Sequence, residues 1–247
     1  MGGLLSQVYQ NFEIDATTKP FDWIDSVSRE LIVLANCSLD QNAQILLARK
    51  NTIEAIESIF RGIVLKPTET EKKEVISRAL NLLGKLMKTQ DGREQIVNSK
   101  EVMSRVLLYF LMDEHDYFKN ALITLHSCCK VPGFREICLD KHKFTLKSFD
   151  PHVERAKSKY AKIVETEQWD EYVNICAVIT ALVGVFPELK DGFRDIIPTL
   201  IKVLADKLDL VRKNSAVLLA KLVEDNEENK KVMRAHHGSE VLQSVQA

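Results

Sequence analysis

The strongest constraint on this chain is that it repeats itself. Leu82-Leu83-Gly84-Lys85-Leu86 matches Leu218-Leu219-Ala220-Lys221-Leu222 at an offset of 136 residues. The same offset, with no gap, lays Ile96-Val97 on Val232-Met233 and Val106 on Leu242. One third of that offset is about 45 residues, a length typical of two- or three-helix repeat units. Intermediate copies are visible too. Gly133-Phe134-Arg135-Glu136-Ile137 echoes Gly192-Phe193-Arg194-Asp195-Ile196, and Gly92-Arg93-Glu94-Gln95-Ile96 is a looser version. Asn229-Lys230-Lys231-Val232 is the last copy, and an earlier unit runs from Leu31 to Ile45.

The local pattern is helical. Ile24, Val27, Leu31, Leu34 and Ala35 fall on one helical face, as do Ala79, Leu82, Leu83 and Leu86. No stretch alternates in the manner of a strand. Pro20, Pro67, Pro132, Pro151, Pro187 and Pro198 stand at or near the ends of the periodic runs, where proline is tolerated or terminates a helix. With only 9 Gly and 6 Pro in 247 residues, turns are too few for an all-β chain. A helical unit of this length has an apolar face that it cannot bury alone, so copies stack and share one continuous core.

The residues that carry the repeat also carry a family resemblance. Ile197 to Leu204, then Val211-Arg212-Lys213-Asn214-Ser215-Ala216, then Asn226 to Val232 resemble a full armadillo repeat: an apolar second helix, a short acidic turn, a long third helix, and an Asn-rich turn. The likeness is strong there, fair over 21–66 and 69–112, and weak over 113–187. It implies an all-α, right-handed armadillo/HEAT-type solenoid of about five units. They fall at about 1–66, 67–112, 113–150, 151–205 and 206–247, in a single domain over 1–247. Corresponding apolar positions lie 41 residues apart from Ile96 to Ile137 but 59 apart from Ile137 to Ile196. An insertion within 139–168 accounts for the excess. It is expected to project from the stack as an extra helix or ordered loop.

The resemblance also implies where a partner would bind. Armadillo proteins that carry nuclear import cargo present an Asn on each third helix, usually with a Trp one turn away, and clamp an extended peptide in a concave groove. Here the Asn position is filled by Asn36, Lys85, Ser127, Ala181 or Gly184, and Lys221. Trp23 and Trp169 fall near the starts of third helices, away from the Trp position. Nuclear-signal recognition is therefore not expected. Asn36, Lys85, Ser127 and Lys221 are the candidate groove residues, and the two lysines suit acidic or mixed partners. In style the repeats resemble the C-terminal armadillo domains of tetratricopeptide/armadillo co-chaperones, such as dynein or myosin assembly factors.

Other chemistry is sparse. Phosphate-binding glycine loops, H-E-x-x-H, C-x-x-C and G-x-S-x-G are all missing, so no enzyme activity, metal or cofactor is expected. His126, Cys128 and Cys129 stand at i, i+2 and i+3, which turns Cys128 away from the other two and favours a core role. His236-His237 and Asp113-Glu114-Asp116 read as turn residues. The five cysteines, Cys37, Cys128, Cys129, Cys138 and Cys176, follow no disulfide-framework spacing and suit a reducing compartment, the cytoplasm by default. Met1-Gly2 with Ser6 matches a weak myristoylation pattern that is given little weight. No apolar run is long enough to span a membrane.

One segment departs from the neutral background. Between Leu139 and Ile163, Lys141, Lys143, Lys147, Arg155, Lys157, Lys159 and Lys162 face only Asp140, Asp150 and Glu154. Phe144, Phe149 and Tyr160 are interleaved with them. Basic residues with aromatics can bind RNA or an acidic tail, although a solvated amphipathic helix has the same composition. The expected function is a protein–protein adaptor binding a partner protein in the groove, with an RNA- or acidic-tail-binding solenoid as the alternative. Nucleic acid and membrane are not expected partners.

Overall fold

In the computed structural model the described residues are 22–48, 51–62, 70–112, 115–205 and 209–246. They form helices and turns, with no strand among them. The chain divides into two compact units, Met1–Pro132 and Gly133–Ala247.

The first unit comprises α1 (Asp22–Cys37), α2 (Gln41–Ala48), α3 (Thr52–Gly62), α4 (Thr70–Leu86), α5 (Gln90–Asn98), α6 (Lys100–Leu111) and α7 (His115–Cys128). The three long helices stack in series, α1 on α4 and α4 on α7, while α3 packs on α6. The stacking follows from equivalent apolar positions. Val75, Ile76, Ala79, Leu82, Leu83 and Leu86 of α4 are each 1% exposed or less. Forty-two residues on, Tyr117, Phe118, Ala121, Thr124, Leu125 and Cys128 of α7 are buried in the same pattern. A fully buried Leu or Val contributes about 1.5–3 kcal/mol, so the register of each helix on the next is set by this face.

Short polar residues end one helix and start the next. Thr89 Oγ1 accepts the Gly92 amide at 3.1 Å to begin α5. Ser99 closes α5, and its hydroxyl accepts the Val102 amide to begin α6. Asp40 Oδ1 does the same for α2 through the Ala43 amide, at 2.9 Å. Caps of this kind are worth about 1 kcal/mol each.

The second unit comprises α8 (Phe134–Glu136, continued as a π turn over Ile137–Lys141), a 3-10 turn (Leu146–Phe149), α9 (Asp150–Glu165), α10 (Trp169–Val185), a 3-10 segment (Pro187–Ile196), α11 (Ile197–Leu204), α12 (Asp209–Val223), α13 (Glu227–Ala235) and α14 (Gly238–Gln246). Pro151, Pro187 and Pro198 each sit in a first turn, where a missing N–H costs nothing. The long helices α10 and α12 pack together. Ile175, Ile179, Leu182, Val183 and Phe186 map 36 residues on to Val211, Ser215, Leu218, Leu219 and Leu222, all buried.

The segment 139–168 does not project. α9 packs along α10 and against the 187–196 segment, burying His152, Val153, Ala156, Tyr160 and Ile163. At 16 residues it is longer than α3 (11) or α6 (12), so much of the extra chain length lies in a helix built into its unit.

A candidate binding face on the third helices

Side chains locate the equivalent positions on the long helices. Arg78 of α4 hydrogen-bonds the Ser28 hydroxyl of α1. Asn120 of α7 reaches the Ser77 carbonyl of α4 at 3.4 Å. Ser28 and Ser77 are thus equivalent, 49 residues apart, and Arg78 and Asn120 are equivalent, 42 apart. That register aligns Ala35 with Gly84, and Asn36 with Lys85 and Ser127. A Cβ on Gly84 would sit 3.7 Å from Ile123 Cγ2 and Thr124 Oγ1, so the small residue lets α7 approach α4.

In the second unit, a Cβ on Gly184 would sit 3.5 Å from Lys221 Cε. Gly184 of α10 is therefore the counterpart of Gly84, and the position of Lys85 falls on Val185. Neither Ala181 nor Gly184 occupies it. The apolar pattern of α10 is nearly continuous, which hid its register.

These positions differ in what they offer. Asn36 is exposed, and Ser127 is half-buried with its hydroxyl donating to the Ile123 carbonyl at 3.0 Å. Lys85 is half-buried, and its Nζ donates to the Ala35 carbonyl at 2.7 Å. It closes the C-terminal end of α1, where cations are favoured. Lys221 lies with its stem over Gly184 and its Nζ on Glu224 Oε2, 2.5 Å away. Each lysine neutralises a helix end or a neighbouring carboxylate.

Rows on either side of these positions are more open. One turn before lie Ile32 (37% exposed), Asn81 and Ile123 (40%) in the first unit, with Val217 (50%) on α12 in the second. About one turn after lie Leu39 (73%), Lys88 and Lys130 in the first unit, and Glu188 and Glu224 in the second. The two glutamates are committed. Glu188 is held by Arg135 at 2.5 and 2.9 Å, and Glu224 by Lys221 and Lys190. Arg135 and Lys221 accordingly hold the Glu188 and Glu224 carboxyls below the usual carboxylate range. Reading the sequence one position per helix missed Leu39, Lys88 and Lys130. Following each matched position by a helical turn would have found them.

Three designed proteins share this architecture. A designed armadillo repeat protein superposes with a TM-score of 0.65 at 14% identity, covering 98% of this chain and 91% of its own. A computationally designed armadillo repeat protein for modular peptide recognition gives 0.65 at 15%, covering 96% and 90%. A third, in complex with the peptide (KR)4, gives 0.62 at 16%, covering 98% and 91%. The fold is an armadillo solenoid. No protein-family model matches the chain, and no curated protein matches it.

The armadillo frame explains the basic segment. Lys141, Lys143, Lys147 and Lys162 are exposed, whereas Arg155, Lys157 and Lys159 are half-buried along α9. Lys157 pairs with Glu154 at 2.8 Å and Asp195 at 3.4 Å. Two of the three interleaved aromatics are core residues, and Phe144 is half-buried. Phe149 and Tyr160 are each 1% exposed, and Phe149 packs on Phe186 with ring centroids 4.7 Å apart. Neither offers a face on which a base could stack.

Cys128, Cys129, Cys138 and Cys176 are buried, and burial pushes the Cys138 and Cys176 thiols up to about 12. Among the described residues no three His, Cys, Asp or Glu side chains converge as a metal site. His236 and His237 are exposed beside the α13–α14 turn, His237 with φ of 57°. Asp113 and Glu114 lie outside the described residues, as do the side chain of Asp116, the side chain of Trp23, and residues 2–6. No described helix is long and apolar enough to cross a membrane.

Proposed function

We propose that this chain is a non-catalytic adaptor that holds an extended segment of a partner protein on the face shared by α1, α4 and α7. The observation that carries this reading is the register of the long helices. Equivalent positions recur at 49 and 42 residues and leave Ile32, Asn81, Ile123, Asn36 and Ser127 on one accessible side. Repeats that stack in this way present side chains at regular intervals, which suits a partner whose own side chains recur along an extended backbone. The armadillo fold is a binding scaffold, and the similar designed protein in complex with (KR)4 is a peptide-bound example of it.

Asn36 and Ser127 are the proposed polar contacts, with Lys85 and Lys221 setting the helix ends that flank them. The units at about 1–66, 67–112, 113–150, 151–205 and 206–247 are the proposed repeat frame within one domain. The cytoplasm is the proposed location. A place in a co-chaperone or assembly factor is a narrower proposal that rests on the style of the repeats. The alternative, RNA or an acidic tail held by the segment 139–163, is less favoured because Phe149 and Tyr160 are buried.

Site-specific photocrosslinking tests the reading. A photoreactive residue at Asn81 or Ser127 is expected to capture partner protein, while one at Glu94 on α5 is not. Capture from Glu94 alone would move the binding surface off the third helices.

A further inference from the structure

We infer that the third-helix face of the first unit selects an acidic extended segment carrying aliphatic side chains, an inference that rests on the protein-binding reading above. The charges on this face are asymmetric. Lys119 on one side and Lys88 and Lys130 on the other are exposed, and none of the three is paired with a carboxylate among the described residues. Between them runs the uncharged row of Ile32, Asn81 and Ile123. The described carboxylates around these lysines are already engaged, including Asp91, three residues from Lys88, which has an interaction of its own. Glu74 is bridged to Arg78, and Asp40 accepts the Ala43 amide at the start of α2.

The face continues into a recess of about 530 Å³ at the turns after α1 and α4. Its lining includes Leu39, Gln44 and Ile45 from the first turn and the helix after it, and Lys88, Gln90 and Asp91 together from the second. Leu39 is 73% exposed here. Buried Gln44 spends its amide on the Ser38 carbonyl at 2.6 Å. Beside the aliphatic Leu39 and Ile45 lie the Lys88 ammonium, the amides of Gln41 and Gln90, and the Asp91 carboxylate, which is already engaged. An aliphatic side chain of the partner fits against Leu39 and Ile45, and a neighbouring carboxylate meets Lys88. The equivalent row of the second unit carries Glu188 and Glu224, each held by basic groups, so the selectivity is a property of the first unit. Unpaired cations flanking an uncharged strip reject a basic segment by like charge and accept an acidic one, which fixes both partner and register.

The test uses the full chain and three degenerate pools of fluorescent twelve-residue peptides. Every second residue is Glu, Gln or Lys, and the others are mixed Leu, Ile and Val. Anisotropy is expected to rank Glu over Gln over Lys, with the Glu pool bound about ten-fold tighter than the Gln pool. Lys88→Glu/Lys119→Glu should erase that preference, and the neutral pair Lys88→Gln/Lys119→Gln should reduce it. The control Lys147→Glu/Lys162→Glu, on the other unit, should leave it intact. Circular dichroism melts confirm folding of each variant.

Equal binding of all three pools, or a preference that persists in the Glu variant, overturns the acidic selectivity and leaves the protein-binding reading standing. No binding of any pool, with crosslinking from Asn81 also negative, sinks that reading itself. A single-stranded RNA twelve-mer that binds tighter than the Glu pool, with the same Lys88 and Lys119 dependence, would assign the face to nucleic acid and overturn the inference.

Discussion

Lys85 donates its ammonium to the main-chain carbonyl of Ala35, 2.7 Å away, so a side chain of α4 closes the end of α1. The theme recurs within each unit. Gln95 reaches the Ala48 carbonyl at 2.5 Å, Lys190 the Glu224 carbonyl at 2.5 Å, and Arg135 the Val185 carbonyl at 3.3 Å. The last carbonyls of a helix lack intrahelical partners, and in this chain long polar side chains from neighbouring segments, later in the chain in the first unit and earlier in the second, supply them. Lys85→Glu should therefore destabilise the first unit by about 1–3 kcal/mol, the range for losing a charged hydrogen bond at a partly buried acceptor. Lys85→Arg should retain most of it. Urea unfolding monitored by circular dichroism reads both.

The second unit carries a buried hydroxyl chain. Tyr172 Oη lies 2.7 Å from Ser215 Oγ and 3.3 Å from Tyr160 Oη, linking α9, α10 and α12. Ser215 Oγ also donates to the Val211 carbonyl at 2.8 Å. Burial pushes both tyrosines well above the usual phenol range, so they stay protonated. Tyr172→Phe keeps the ring and removes the link, leaving Tyr160 with a buried hydroxyl short of a partner. A loss of about 1–2 kcal/mol is expected. The double variant with Tyr160→Phe should cost less than the sum of the two singles, because their partners are shared.

Two glycines should respond in opposite directions to alanine. A Cβ on Gly92 would overlap the Leu86 carbonyl and lie 2.8 Å from Thr89 Oγ1, the group that caps α5. Gly92→Ala must displace backbone, and a fall in melting temperature is expected. At Gly184 the nearest atom is Lys221 Cε at 3.5 Å, an ordinary contact with a flexible stem. Gly184→Ala should stabilise α10 by up to about 1 kcal/mol through helix propensity. Thermal melts of the two variants decide the point.

His126 gives the first unit an acid limb. Burial first, and Lys130 second, lower its pKa below the ordinary histidine value. The unfolded chain then binds the proton at a higher pH than the folded one. The contribution to stability is full above the unfolded value, about 6.5, and is lost as the pH falls toward the folded value. His126→Gln should flatten the fall in melting temperature between pH 7 and pH 5, measured at constant ionic strength. An unchanged slope would assign the acid limb to other groups.

Much of the fold was legible in the sequence because the repeat is carried by apolar positions, and those positions are what stacking buries. The matched residues Leu82, Leu83 and Leu86, and Leu218, Leu219 and Leu222, are all fully buried. The candidate site was legible only in part. Asn36, Lys85 and Ser127 do align, but the counterpart on α10 is Val185, where an almost wholly apolar helix conceals its register. The basic segment misled for a related reason. Net charge over 139–163 says nothing about which side of a helix each residue takes, and Phe149 and Tyr160 turn inward.

By itself, the sequence determined that this protein is a stack of helical repeats, and roughly where each long helix lies. Apolar periodicity is a local property, and its recurrence at a fixed offset implies a shared core. Only the tertiary structure decided which polar groups remain accessible. Lys85 and Lys88 are three residues apart in the chain, yet one is bonded to Ala35 and the other is exposed. That difference arises from where the end of α1 lies against α4, a distance between helices that no pattern within either helix encodes.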